Sequence, residues 1–199
     1  KQFRHLMDLG VNAFALANNH AFDHGRSGLD MTRAFFEGAD TPERPPLFAG
    51  TGTVETAFHL RIITKKGIRI AMSAVSFGSG SFSPTDTQVG MAYLFAPGQY
   101  DKVLENLKNA DADLKLLSIH YGTENQTTLN SGQAALYRRA VEEAGVHLVI
   151  GHHPHLLPCL RLNRTFAGPR PSVSCWQNTA KMGPARAVIR RLIRRVSRS

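Results

Sequence analysis

The chain has 199 residues, enough for one domain to bury a sizeable core. Its 42% hydrophobic share argues against disorder, and no apolar run approaches the ~20 residues of a membrane span. The net charge of +9 would suggest a polyanionic partner, but residues 1–155 carry 14 Lys and Arg against 15 Asp and Glu, while residues 156–199 carry ten basic side chains and no acidic one. The near-neutral body weighs against a nucleic-acid groove along it. Cys159, Cys175 and the single tryptophan, Trp176, lie in the basic tail, where two cysteines establish neither a disulfide nor a redox compartment. No signal-peptide pattern is visible, but the chain opens on Lys1 in what reads as the middle of a helix, as a fragment would.

In chain order, residues 4–9 read as the last turns of a helix with Gly10 at its C′ position. An apolar run then predicts a strand over 13–17, ending in Asn18-Asn19-His20. Asn19 offers a carbonyl oxygen as a ligand and His20 can donate or accept a proton, although an Asn-Asn pair after a strand is also ordinary turn chemistry. Asp23, one turn on, is placed either to orient His20 or as a plain loop carboxylate. Ser27-Gly28-Leu29-Asp30 fits a capping box opening a helix whose Leu29, Thr32 and Phe36 share a face, with Gly38 ending it.

A proline-rich loop follows, then a candidate short strand over 47–50. Residues 58–63 and 68–77 flank Lys65-Lys66-Gly67 as a hairpin, with Ile68, Ile70, Met72 and Ala74 alternating to one face. Residues 78–90 are rich in Gly, Ser, Thr and Pro, as suits a loop lying over a site or a flexible connection. The helix over 99–110 carries Tyr100, Val103, Leu104 and Leu107 on one stripe. It leads to a strand over 114–119 ending in His120-Tyr121-Gly122. A second helix over 131–144, stopped by Gly145, leads to a buried strand over 146–150. This order implies neighbouring parallel strands joined by right-handed crossovers.

That last strand runs into Gly151-His152-His153-Pro154-His155. Imidazole is the commonest neutral metal ligand, and Pro154 stiffens the turn between His153 and His155. An exposed tract or expression tag would also be His-rich, but a tag does not follow a buried strand in mid-chain. Three strand-like runs each deliver a histidine at their carboxyl end, where ligands sit in α/β sheets. Their ends are therefore expected to converge, with Asn19, His20, His120, His153 and His155 facing one crevice. Glu124 lies four residues past His120, placed to hydrogen-bond a ligand there or to be a solvated surface carboxylate.

After His155 regular pattern fades. Val188, Ile189, Leu192, Ile193 and Val196 form an apolar stripe against Arg190, Arg191, Arg194, Arg195 and Arg198. That is a basic amphipathic helix suited to an anionic surface or nucleic acid; an artefactual or frame-shifted end would also be Arg-rich and free of acid. The body is thus one domain over 1–158, and the tail over 159–199 is expected to add little to the core.

Together, the segments from Ala17 to Gly25, Ser118 to Glu124 and Gly151 to His155 resemble the CapA-type capsule and poly-γ-glutamate biosynthesis proteins of the calcineurin-like metallophosphoesterase superfamily. The resemblance covers residues 3–158 and implies an α/β fold, a two-sheet sandwich flanked by helices (α/β/β/α), incomplete in this chain. It implies two divalent ions in the intact protein, Mn, Fe or Zn by donor type. It assigns Asn19, His120, His153 and His155 as metal ligands and His20 as the proton donor to the leaving group. His152, whose spacing does not fit the terminal pair, belongs to the shell around the ligands or to an alternative register, and Asp23 and Glu124 stand beside these residues as a partner of His20 and a carboxylate of that shell. The superfamily's Asp-x-His and Gly-Asp motifs would precede Lys1. The expected site is therefore a partial shell of Asn19, His120 and His153 about one ion with His155 apart, a feeble phosphodiesterase at best. A downstream Gly-Asn-Phe segment usual in such proteins is not visible.

The resemblance also implies a phosphoester or polyanionic envelope polymer as substrate, a capsule-synthesis assembly as partner and a location at the cell envelope. Two rivals stand beside hydrolysis. One is a non-catalytic component of an envelope polymer synthesis or export assembly; the other is nucleic-acid or anionic-surface binding through the basic tail, against which the tail's lack of interleaved aromatics weighs.

Overall fold

The computed structural model describes residues 2–42 and 44–155. The amphipathic helix and the cysteines expected in the tail lie outside the described residues. Within the described residues the helices and strands follow one another as α1 (Gln2–Asp8), β1 (Ala13–Ala15), α2 (Gly25–Gly38), β2 (Leu47–Ala49), β3 (Thr51–Gly52), β4 (Arg61–Lys65), β5 (Ile68–Ser76), β6 (Gly90–Met91), α3 (Gln99–Asn109), β7 (Leu114–His120), α4 (Ser131–Ala144) and β8 (Leu148–His152).

The larger sheet has the order β4-β5-β7-β8; β4 is antiparallel to β5, and β5, β7 and β8 run parallel. Its hairpin closes on Lys66 and Gly67, both at positive φ, the two-residue turn that matches strand twist. Alternation along β7 builds two cores. Leu117 and Ile119 point to one face, where Val75 and Val149 meet Tyr100, Val103, Leu104 and Leu107 of α3 and Tyr137, Ala140 and Ala144 of α4. On the opposite face Leu116 joins Met72 and Ala74 against Ala17, Leu47, Ala49 and Met91 of the second layer.

That second layer is the parallel pair β1-β2 and the antiparallel pair β3-β6. Ala92 ties it to the large sheet, donating to Gly50 O at 2.9 Å and accepting from Ser76 N at 3.0 Å. Gly50 sits at φ +100°, and a Cβ there would fall 2.7 Å from the Ala17 methyl and 2.9 Å from Ala74 O, so the close crossing requires glycine. Phe14 and Phe48 turn outward from β1 and β2 into an aromatic cluster with Phe3 of α1 and Phe35 and Phe36 of α2. The layers are thus helix, sheet, sheet, helix, the mixed α/β sandwich expected.

Three local expectations are corrected. β1 ends at Ala15 rather than at residue 17, because after Leu16 N bonds Ala49 O the chain enters successive turns through residues 18–25. β8 begins at Leu148, because Val146 N is used to close α4 on Ala140 O. α2 starts at Gly25 without a capping box: its N-cap is His24, which makes no side-chain cap, and Ser27 Oγ donates to His24 O instead. The 78–90 loop is pinned rather than free. Phe82 stacks on Phe22 with centroids 4.2 Å apart, and Arg26 donates to Val89 O and Ser81 O.

Candidate metal centre

Strand register brings the inner histidines together. His120 on β7 lies opposite His152 on β8, both on the face turned toward the second layer, and Ser118 lies two residues earlier on that face. Asn19 reaches the same point from the turn after β1. Its Oδ1 is 2.8 Å from His120 Nε2, a meeting of residues 101 apart in sequence.

The bonds form a directed chain. With the Asn19 oxygen accepting, His120 Nε2 carries the proton, so His120 Nδ1 accepts from His152 Nδ1 and His152 Nε2 accepts from Ser118 Oγ at 2.7 Å. The last turn before the site is held by Phe77 N donating to His120 O at 3.1 Å.

Burial pushes His120 down to about 3, with the neighbouring His152, His153, His20 and His155 charges acting in the same direction. Burial and then His153 push His152 down to about 4. His153 is also lowered, chiefly by burial and against the pull of Glu124. All three are neutral imidazoles at neutral pH, the form that ligates metals.

The outer part of the crevice is made by two turns rather than by strands. His153 (φ 102°) and His155 (φ 61°) both hold left-handed backbone on either side of Pro154. The His153 side chain is 7% exposed, packed 4.4 Å from the Phe77 ring and 5.0 Å from His120, and its Nδ1 has no hydrogen-bond partner among the described residues. One ligand atom each from Glu124, His153 and His155 lie within 4.8 Å of one another.

His20 sits at the mouth, 68% exposed, with Nδ1 2.9 Å from Asp23 Oδ2. Its backbone N donates to Asn18 Oδ1 at 2.9 Å, which fixes the turn that presents it.

These donors suit a divalent ion. An ion that replaced the proton on His120 Nε2 would find the Asn19 carbonyl oxygen beside that nitrogen. The buried His153 Nδ1 also lacks a hydrogen-bond partner among the described residues.

All the residues singled out in the sequence lie in this region, but they group differently. His120 bonds both Asn19 and His152, while His153 packs 5.0 Å from the His120 ring and lies with His155 and Glu124. His152, expected in the surrounding shell or as an alternative register, lies in register with His120 and hydrogen-bonds its ring. Ser118 went unremarked, though its place two residues before His120 on a strand was the available signal.

The comparisons agree with this architecture. The family model "Bacterial capsule synthesis protein PGA_cap" matches residues 1–164. The chain is 28% identical over 159 residues to "Capsule biosynthesis protein CapA" of Bacillus anthracis, covering 75% of this chain and 36% of that protein. It is 27% identical over 154 residues to "PGA biosynthesis protein CapA" of Bacillus subtilis (strain 168), covering 76% and 39%. The chain therefore spans little more than a third of these curated relatives. A crystal structure of a hypothetical protein from Thermus thermophilus shares the fold, with a TM-score of 0.53 and 19% identity over 91% of this chain and 60% of that one. The chain belongs to the bacterial capsule synthesis protein family PGA_cap.

Proposed function

We propose that this crevice is a divalent-metal centre of metallophosphoesterase type, acting on a phosphoester during synthesis of an anionic polymer of the cell envelope. The observation that carries the reading is the 2.8 Å meeting of Asn19 and His120, brought from facing layers to the carboxyl ends of their strands. Asn19, His120, His153 and His155 are the proposed ligands. Bound there, one or two ions such as Mn, Fe or Zn polarise a phosphoryl oxygen and acidify a water.

The chain's own residues do the rest. His20, exposed at the mouth, donates a proton to the leaving oxygen, and Asp23 on Nδ1 holds the ring in place. His152 and Ser118 fix the ring of His120 from behind. Phe77 walls the crevice against His153.

The test is hydrolysis of bis-p-nitrophenyl phosphate with added Mn²⁺, comparing the protein with His20→Ala. Turnover should need the metal and fall by about 10²–10⁴-fold in the variant, with metal still bound. Activity independent of His20 would remove it from the mechanism.

A second reading is favoured by the names of the relatives, which speak of biosynthesis and not hydrolysis. In it the domain is a non-catalytic, metal-holding part of a polymer synthesis or export assembly. Bound metal without metal-dependent turnover would select that reading. Among the described residues no helix is long and apolar enough to cross a membrane.

A further inference from the structure

We infer that Glu124 is itself a metal ligand, forming with His153 and His155 a site of one carboxylate and two imidazoles that holds a divalent ion by direct coordination. The inference shares with the proposed function only the premise that the crevice binds a divalent ion, not that it hydrolyses an ester.

The geometry rests on two clamped turns. Asn125 N donates to Pro154 O at 2.9 Å, and Tyr121 N donates to His152 O at 3.1 Å, so the 121–125 turn is bonded at both ends to the histidine turn. Between these bonds Gly122 lies against the Pro154 ring and the Gln133 amide, where a Cβ would stand 2.6 Å from Pro154 Cγ. The buried Gln133 anchors the turn from α4, donating to Tyr121 O at 3.0 Å, and Asn130 Nδ2 reaches Thr123 Oγ1 at 3.1 Å. Glu124 is half exposed, but the backbone beneath it is fixed where its carboxylate faces His153.

The contacts fall short of hydrogen bonding, as a ligand set should. His153 Nε2 and Glu124 Oε1 are 3.6 Å apart, too far for a hydrogen bond and close to the separation of roughly 3.4 Å between tetrahedral donors at bonds of about 2.1 Å. His153 Nδ1, buried beside Phe77, has no partner among the described residues. A buried imidazole with nothing bonded at one nitrogen and a carboxylate just out of reach at the other is poorly satisfied by the protein alone. An ion between Glu124, His153 and His155 would take the lone pair of His153 Nε2, the nitrogen that faces Glu124, and Nδ1 would then carry the ring proton.

The carboxylate also brings charge. A set of neutral imidazoles and an amide holds a cation by lone pairs alone, whereas Glu124 neutralises part of it. Two nitrogens and one oxygen suit Zn²⁺ with a position left open for water or substrate.

The test is Zn²⁺ affinity by competition with a chromophoric chelator, for the unaltered protein, Glu124→Gln and Glu105→Gln, the last an exposed glutamate on α3. Glu124→Gln should weaken binding by about 10–100-fold while the far-UV circular dichroism and melting temperature stay unchanged. Glu105→Gln should bind as the unaltered protein does. Co²⁺ in place of Zn²⁺ gives a second readout, its visible bands shifting in Glu124→Gln. Equal affinity and an equal Co²⁺ spectrum in Glu124→Gln would overturn the inference, as would the absence of Zn²⁺ binding by the unaltered protein. Glu124-dependent binding without phosphoester turnover would support the inference and count against the hydrolytic reading alone.

Discussion

Asn19, His120, His152 and Ser118 make the inner half of the crevice, framed by strands; Glu124, His153 and His155 make the outer half and are held by turns. In the inner half the imidazoles, the amide oxygen and the hydroxyl meet one another, so the side chains are mutually satisfied and the arrangement belongs to the folded core. In the outer half a buried nitrogen lacks a partner among the described residues, and the backbone is left-handed at two side-chain-bearing positions. The contrast teaches that without an ion the inner half closes on itself through hydrogen bonds, while the outer half keeps a buried nitrogen that the described residues do not satisfy.

The largest way to break that contrast is at the joint between the two turns. Gly122→Val would drive its side chain into Pro154 and Gln133, forcing both turns apart. A cost of about 2–3 kcal/mol is expected, or roughly 5–10 °C in melting temperature, with Zn²⁺ affinity lost as well. An unchanged melting curve would mean that the turns are not packed as described.

Acid should find the inner half next. His120 and His152 resist protonation in the folded protein, at about 3 and 4, but titrate near 6.5 when unfolded. Below 6.5 the unfolded chain binds more protons than the folded one, so this contribution is present above pH 6.5 and is lost as the pH falls toward 4. Each histidine adds a slope of up to about 1.4 kcal/mol per pH unit in that window. Urea unfolding of the metal-free protein at pH 7, 6 and 5 should show the loss. His152→Gln should flatten it, and His24→Gln, at the exposed start of α2, should not.

Ser118→Ala sharpens the comparison at smaller scale. It removes the hydroxyl that His152 Nε2 accepts from, deep under the sheet face, and should cost about 1 kcal/mol in thermal unfolding. No change would dissolve the bonded chain behind His120. The smallest effect on stability is expected at the mouth: Asp23→Ala and His20→Ala remove an exposed pair and should stay within about 0.5 kcal/mol. A loss of turnover in His20→Ala without loss of stability would set function and fold apart at that position.

Much of the architecture was legible because it depends on period. The stripe Tyr100, Val103, Leu104 and Leu107 named α3, and Ser131–Ala144 with Gly145 named α4 to the residue, its box completed by Asn130 and Gln133. The β4-β5 hairpin followed from the turn read at Lys65-Lys66-Gly67, although Lys65 pairs with Ile68 inside the ladder and β4 begins at Arg61 rather than at residue 58. The ends of β1 and β8 were less legible, because competing backbone bonds to Ala49 and Ala140 decide them. The capping box at Ser27 failed for a related reason: the turns from Asn18 to Gly25 run directly into α2, so the helix starts before Ser27 could cap it.

By itself the sequence determined that three apolar runs would each lead into a histidine segment and that those segments fit one family's pattern, because alternation and spacing are local properties of the chain. Only the tertiary structure decided which of those side chains meet. The parallel register of β7 and β8 set His152 as the hydrogen-bond partner of His120, and the bond from Asn125 to Pro154 carried Glu124 to His153 and His155. Both choices depend on hydrogen bonds between segments about thirty residues apart, and a one-residue slip in either would turn the side chains to the opposite face without altering any pattern visible along the chain.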